Sequence, residues 1–138
     1  MQVVNTKCPD DEGYEKFYAK PDTVYRYRIV GMIAQNLPMR FTMKTDPTTH
    51  LPFTAIAADS LYIEPIKNVT YIWIWPGERY DIIFKTPEEE GTQKNAIQMR
   101  LAAFTQIDSS VEPNPSQMCT IAYLVSGDFS KIDPNFRY

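Results

Sequence analysis

Residues 69–85 read VTYIWIWPGERYDIIFK. Val69 to Trp75 is built almost wholly from aromatic and β-branched residues, the composition of a pleated strand. Pro76-Gly77 then turns the chain, because Pro presets φ at the first turn position and Gly accepts a positive φ at the second. Arg79 to Lys85 resumes as a further strand, so the stretch reads as two consecutive strands joined by a short corner. Trp73 and Trp75 stand two apart, which puts them on one face of a continuous strand. Packing in a core or against another domain is their structural reading, and a carbohydrate-stacking platform the functional one.

The pattern extends outward in both directions. Tyr25-Arg26-Tyr27-Arg28-Ile29-Val30 alternates ring or aliphatic residues with charges, the period of a strand with one wet face. Lys20-Pro21-Asp22 before it is a turn. Gln35-Asn36-Leu37-Pro38 reads as a loop, Met39 to Met43 as a strand, and Asp46-Pro47-Thr48-Thr49 as another turn. Leu51 to Ala58 is an apolar run too short for a helix; it reads as a buried strand that stops at Asp59-Ser60. Glu64 to Asn68, with Pro65 inside it, reads as a corner. Downstream, Thr86 to Gly91 is an acidic loop tip, and Ala96 to Phe104 is a strand because Ile97, Met99 and Leu101 alternate with Gln98 and Arg100. Met118 to Val125 closes the pattern as a core strand. Seven or eight short strands at intervals of roughly ten residues predict an all-β chain, a sandwich or small barrel. Residues 1–16 read as a leader or interdomain segment, 17–127 as the folded domain, and 128–138 as a polar tail leading out of it.

Composition limits the partners. With 138 residues the chain has room for one core. Eleven prolines against five glycines disfavour long helices. The net charge is −3 and the cations are scattered singly, so the basic stripe of a nucleic-acid binder is missing. No apolar run is long enough to span a membrane as a helix. MQVVNTKCPDDEGYEKF has no signal-peptide core, which leaves a chain that stays inside the cell or one cut from a larger secreted precursor.

The chemistry is decided by what is scarce. There is one histidine, His50. A type 1 copper site needs two His, a Cys thiolate and usually a Met, so this chain cannot supply one. A structural zinc site needs four Cys or His ligands, and Cys8, His50 and Cys119 are three, far apart. His50 reads as a strand-entrance residue bonded to a turn, with a lone ligand or proton donor as the functional alternative. Asp59 and Glu64 could form a carboxylate pair, but Asp59 capping a turn is the simpler account. Neither a Gly-x-Ser-x-Gly elbow nor a phosphate-cradling Gly loop is present. The six Met residues read as core filler. Cys8 and Cys119 are either free thiols or a bridge joining the ends of a secreted domain. Asn68-Val69-Thr70 is a glycosylation acceptor triplet.

Taken in order, Tyr25-Arg26-Tyr27-Arg28-Ile29, His50, Ile56 to Asp59, Glu64-Pro65, Gly77-Glu78-Arg79-Tyr80-Asp81 and Met118 to Gly127 resemble the second, copper-free cupredoxin domain of laccase-like multicopper oxidases. The resemblance covers roughly residues 17 to 127 and implies a cupredoxin-like Greek-key β-sandwich or barrel. It also implies a secreted parent oxidoreductase that oxidises phenols or metal ions and reduces O2, with its copper held by the flanking cupredoxin domains. In that family the second domain is a spacer that catalyses nothing alone and forms part of the substrate-pocket wall. The pocket-wall positions here are Gln35 and Asn36, amides where some laccases place a carboxylate. Ser60 stands where many members have Gly. Arg28 and Arg79 are expected to clamp carboxylates or carbonyls near the core, with Asp59 and Asp81 as partners. Two other readings stay open: a stand-alone metal-free binding or structural module, and a small enzyme using Asp59, Glu64 or His50. A spacer calls for an apolar docking patch, a stand-alone module for a polar surface all round with room for a concave aromatic site, and a small enzyme for a pocket with perturbed carboxylates.

Overall fold

The computed structural model describes residues 15–32, 38–46, 48–88, 96–103 and 119–125, with the backbone alone at 15, 96, 102, 103 and 119–121. These residues form nine strands: β1 (Glu15–Tyr18), β2 (Val24–Val30), β3 (Met39–Lys44), β4 (Phe53–Ala58), β5 (Leu61–Val69), β6 (Tyr71–Ile74), β7 (Arg79–Lys85), β8 (Ala96–Ala103) and β9 (Cys119–Val125). They make two sheets, a five-stranded one in the order β1-β9-β8-β3-β6 and a four-stranded one in the order β2-β7-β4-β5. The pairing of β1 with β9 is parallel and every other named pairing is antiparallel. β1 begins at Glu15, so it takes in the last two residues of the segment read as a leader.

The sheets close on one apolar core. Phe41, Met43, Ile74, Ile97, Met99 and Leu124 come from the five-stranded sheet, and Phe53, Ile82 and Phe84 from the four-stranded one. Phe41 and Phe53 meet edge-on between the sheets with ring centroids 6.0 Å apart. Tyr27 of β2 stands edge-on to Phe84 at 5.1 Å, so the ring residues of the Tyr-Arg alternation do face inward. Met39, Met43 and Met99 fill this core, but Met32 is 91% exposed and is not filler. Gln98, at a position whose alternation suggested a wet face, is also buried and bonds Tyr123 Oη at 3.3 Å.

Three local features differ from the sequence reading or explain it. First, Val69 to Trp75 is not one strand. Val69 ends β5 opposite Phe53 in one sheet, and Tyr71 opens β6 opposite Thr42 in the other, so the chain changes sheet at Thr70. Trp75 lies beyond β6, and the two tryptophans therefore do not share a strand face. Second, Glu64 to Asn68 is not a corner but part of β5. Between Ala55↔Ile66 and Ala57↔Tyr62, two residues of β4 span four of β5, and Pro65 sits inside that bulge. A bulge on an edge strand is where a sheet tolerates a residue without an N–H. Third, Trp75-Pro76-Gly77-Glu78 is a type II turn: Glu78 N donates to Trp75 O at 3.1 Å, and Gly77 has φ of 85°. Gly31 pins this turn to the end of β2, donating to Glu78 O and accepting from Gly77 N, both at 2.9 Å. A side chain at position 31 would strike Trp75 O and Ile74 Cγ2, so the close approach requires glycine.

Candidate functional site

The strand registers gather the ends of the four-stranded sheet into one surface. Val30 closes β2 opposite Arg79, the first residue of β7. Asp59 N donates to Arg79 O at 2.8 Å, which sets the β4–β5 turn beside that residue. The turn is Asp59-Ser60, with φ of 45° and 75°, the type I′ geometry whose twist matches a β-hairpin. Leu61 and Tyr62 follow it on β5. Gly31 places Met32 beside the Trp75–Glu78 turn on the other flank. This rim exposes large apolar side chains: Val30 at 52%, Met32 at 91%, Leu61 at 72%, Tyr62 at 76% and Trp75 at 43%. Scattered apolar residues are ordinary on a surface; these five gather at one end of the sheets, with Arg79 between Val30 and the Asp59-Ser60 turn.

Next to the rim, the outer face of the same sheet holds a groove of about 400 Å3. Arg26 and Arg28 point there because they alternate with the inward tyrosines, and Asp81 joins them because it faces Arg28 in the β2–β7 register. Arg26 takes the carboxylate: its Nε donates to Asp81 Oδ2 at 2.9 Å, and its Nη2 reaches the same oxygen. The Nη2 also donates to Tyr62 Oη at 3.3 Å, and the guanidinium carbon lies 5.5 Å from the Tyr62 ring centre. The Asp81 bond, then the Tyr62 bond, raises the Arg26 pKa and holds it charged. Arg28 Nε is 3.6 Å from Asp81, and its side chain is 75% exposed. Arg28 and Arg79 are thus on the outer face of the sheet, not near the core, and Asp59 meets Arg79 through its backbone, accepting from Arg79 N at 3.0 Å. Arg26 and Tyr62 were missed as members of this cluster. The Tyr-Arg alternation carries a signal for a row of outward cations, but not for which of them meets Asp81.

The remaining candidates do not converge. His50 forms an isolated antiparallel bridge with Lys44, just ahead of β4. Cys119 lies opposite Ala102, and Ala102 opposite Arg40. Lys44 and Arg40 are four residues apart on β3, about 13 Å at strand rise, so His50 and Cys119 sit toward opposite ends of the five-stranded sheet. They do not fit one copper ion, whose Cys and His ligands lie within about 2–2.3 Å of the metal in protein sites of this kind. Among the described residues, no group of three or more His, Cys, Asp or Glu could hold a metal ion. Glu64 is an exposed residue of β5, in the bulge that also holds Pro65. Asn68 is exposed with φ of 58°, a left-handed conformation Asn accepts. Gln35, Asn36 and Cys8 lie outside the described residues, as does the Cys119 side chain. No described helix is long and apolar enough to cross a membrane.

No protein-family model and no curated protein matches the chain. Solved structures do. Fet3p, a multicopper oxidase that functions in iron import, superposes with a TM-score of 0.65 at 17% identity over 86% of this chain and 20% of its own. The 2F4 variant of McoA, a multicopper oxidase from the hyperthermophile Aquifex aeolicus, gives 0.56 at 19% over 84% of this chain and 24% of its own. The blue copper oxidase of Nitrosomonas europaea gives 0.50 at 18% over 92% and 39%. The chain therefore has the fold of a single cupredoxin-like domain, and it spans only a fifth to two-fifths of these oxidases.

Proposed function

Starting from that fold, we propose that the chain is the copper-free second domain of a laccase-like multicopper oxidase and works as a spacer. One observation carries the reading: a cupredoxin fold is built here on a chain with a single histidine, which stands at the opposite end of its sheet from Cys119. A type 1 site needs two imidazoles and a thiolate together. The copper of such an oxidase would be held by flanking cupredoxin domains and would supply electron transfer to O2. This chain's residues would position those domains. Met32, Leu61 and Trp75 of the rim, which lie outside the groove, are the surface they would cover, an apolar exposure that a module polar all round would lack. Gln35 and Asn36 would contribute amides to the wall of a phenol or metal-ion pocket. Secretion of the parent, a glycan on Asn68 and a Cys8–Cys119 bridge belong to the same proposal, the glycan supported by the exposure of Asn68.

Copper loading of the purified chain, followed by metal analysis and a visible spectrum, tests the reading. The expected result is no stoichiometric copper and no blue absorption. One tightly bound copper per chain would overturn it.

A further inference from the structure

We infer that the groove beside the rim is a binding site for a small organic carboxylate with an apolar body. Three guanidinium groups, Arg26, Arg28 and Arg79, border it against one carboxylate, Asp81, in a chain whose net charge is −3. Arg26 is committed to Asp81 and Tyr62. Arg28 touches Asp81 only at 3.6 Å, and the Arg79 guanidinium has no hydrogen bond to any described residue. The two nearby acids are directed elsewhere: Asp59 accepts from the Arg79 amide and Glu78 from the Trp75 amide at 2.8 Å.

The spacing suits a bound acid. Arg28 faces Asp81 and Arg79 faces Val30, so these two arginines are diagonal neighbours on adjacent strands. Such neighbours stand about 7–8 Å apart, somewhat closer at Cβ, within reach of a common ligand for side chains as long as Arg. A guanidinium presents parallel N–H donors that match the two oxygens of a carboxylate. Apolar atoms of Val30 and of the Tyr62 ring flank these guanidinium groups, and Ser60 adds a hydroxyl to the lining. A bare hydrated anion gains nothing from those walls, whereas an acid with a hydrocarbon body covers them. The volume, about 400 Å3, lies toward the small end of ligand pockets, which run from about 300 to 1,000 Å3. The site lies wholly on this chain and does not depend on the spacer reading.

Phthalate, whose two carboxylates flank an aromatic ring, is a suitable probe. Titration of the purified chain should show one saturable site. In the unmutated chain, the backbone amide resonances of Val30, Tyr62 and Arg79 should shift most, which locates binding without any variant. Arg28→Gln and Arg79→Gln should each weaken phthalate about tenfold, and Arg79→Lys should restore part of the loss. Dimethyl phthalate, which lacks the charge, and sulfate, which lacks the body, should both bind at least tenfold more weakly. No saturation by phthalate, shifts centred away from the groove, unchanged affinity in both Gln variants, or sulfate binding as tightly as phthalate would each overturn the proposal.

Discussion

Single residues show how local geometry sets stability. Gly31, at the end of β2, and Gly77, in the β6–β7 turn it bonds to, are needed for different reasons. At Gly31 a Cβ would collide with Trp75 O and lie 2.8 Å from Ile74 Cγ2, whereas at Gly77 it would meet nothing within 4 Å. Gly31→Ala should therefore cost about 2–3 kcal/mol through overpacking. Gly77→Ala should cost about 1–2 kcal/mol through its positive φ alone. Urea denaturation of the two variants separates these causes, and a smaller loss at Gly31 would refute the close-approach account. Asp46 offers a pH test. Its Oδ1 accepts from Thr48 N, Thr48 Oγ1 and Thr49 N at 2.8–2.9 Å. Hydrogen bonds from Thr49 first, then Thr48, lower its pKa to about 2. An unfolded Asp titrates near pH ~3.9. The folded value is depressed, so the contribution is fully present above about pH 4 and is lost as pH falls through about 2. Urea midpoints between pH 5 and 2 should fall more steeply in the native chain than in Asp46→Asn. Equal slopes would show that Asp46 titrates normally.

At the scale of elements, the β4–β5 hairpin and the edge strands carry the predictions. Both central residues of the Asp59-Ser60 turn have positive φ, a conformation that costs a non-glycine residue about 1–2 kcal/mol. Asp59 recovers part of that cost through its bond to Arg79 N, and among the described residues the Ser60 side chain has no hydrogen-bond partner that offsets its own strain. Ser60→Gly should raise stability by about 1 kcal/mol, read as a higher urea midpoint with unchanged slope. A drop would mean that the Ser60 side chain contributes something the geometry does not show. β2 is an edge strand of seven residues, and Arg26 and Arg28 occupy its outward positions. Charges on an edge discourage pairing with another chain. The double change Arg26→Val and Arg28→Val should turn β2 into an apolar edge and produce concentration-dependent association in light scattering. A chain that stays monomeric would assign edge protection elsewhere, for instance to strand twist.

The whole molecule adds the contrast between core and rim. Ile82 is fully buried between the sheets, and Ile82→Ala should cost about 2–5 kcal/mol in one cooperative transition. Met32→Ser with Leu61→Ser, at side chains 91% and 72% exposed, should leave stability within about 0.5 kcal/mol per site while lowering the binding of a hydrophobic dye. A large loss of stability in that double variant would mean that the rim is packed within the domain and is not a docking surface.

Much of this protein was legible in one dimension because a strand declares itself by period. The alternation at Tyr25 to Val30, the apolar run ending at Ala58 and the RYDIIFK segment all became strands where the pattern put them. The lone His50 limits metal chemistry by count alone, with no coordinates needed. The reading failed where two sheets share continuous sequence. Val69 to Trp75 looks like one strand because both halves are buried on one side, and periodicity carries no label for which sheet receives each half. Pro65 looked like a corner because an edge strand with a bulge breaks the local rule without ending the pairing. The groove was out of reach for a related reason. Arg26 meets Asp81 across 55 positions of sequence, and Tyr62 joins them from a third strand. Register alone decides such meetings, and register is set by how the two sheets bury their common core.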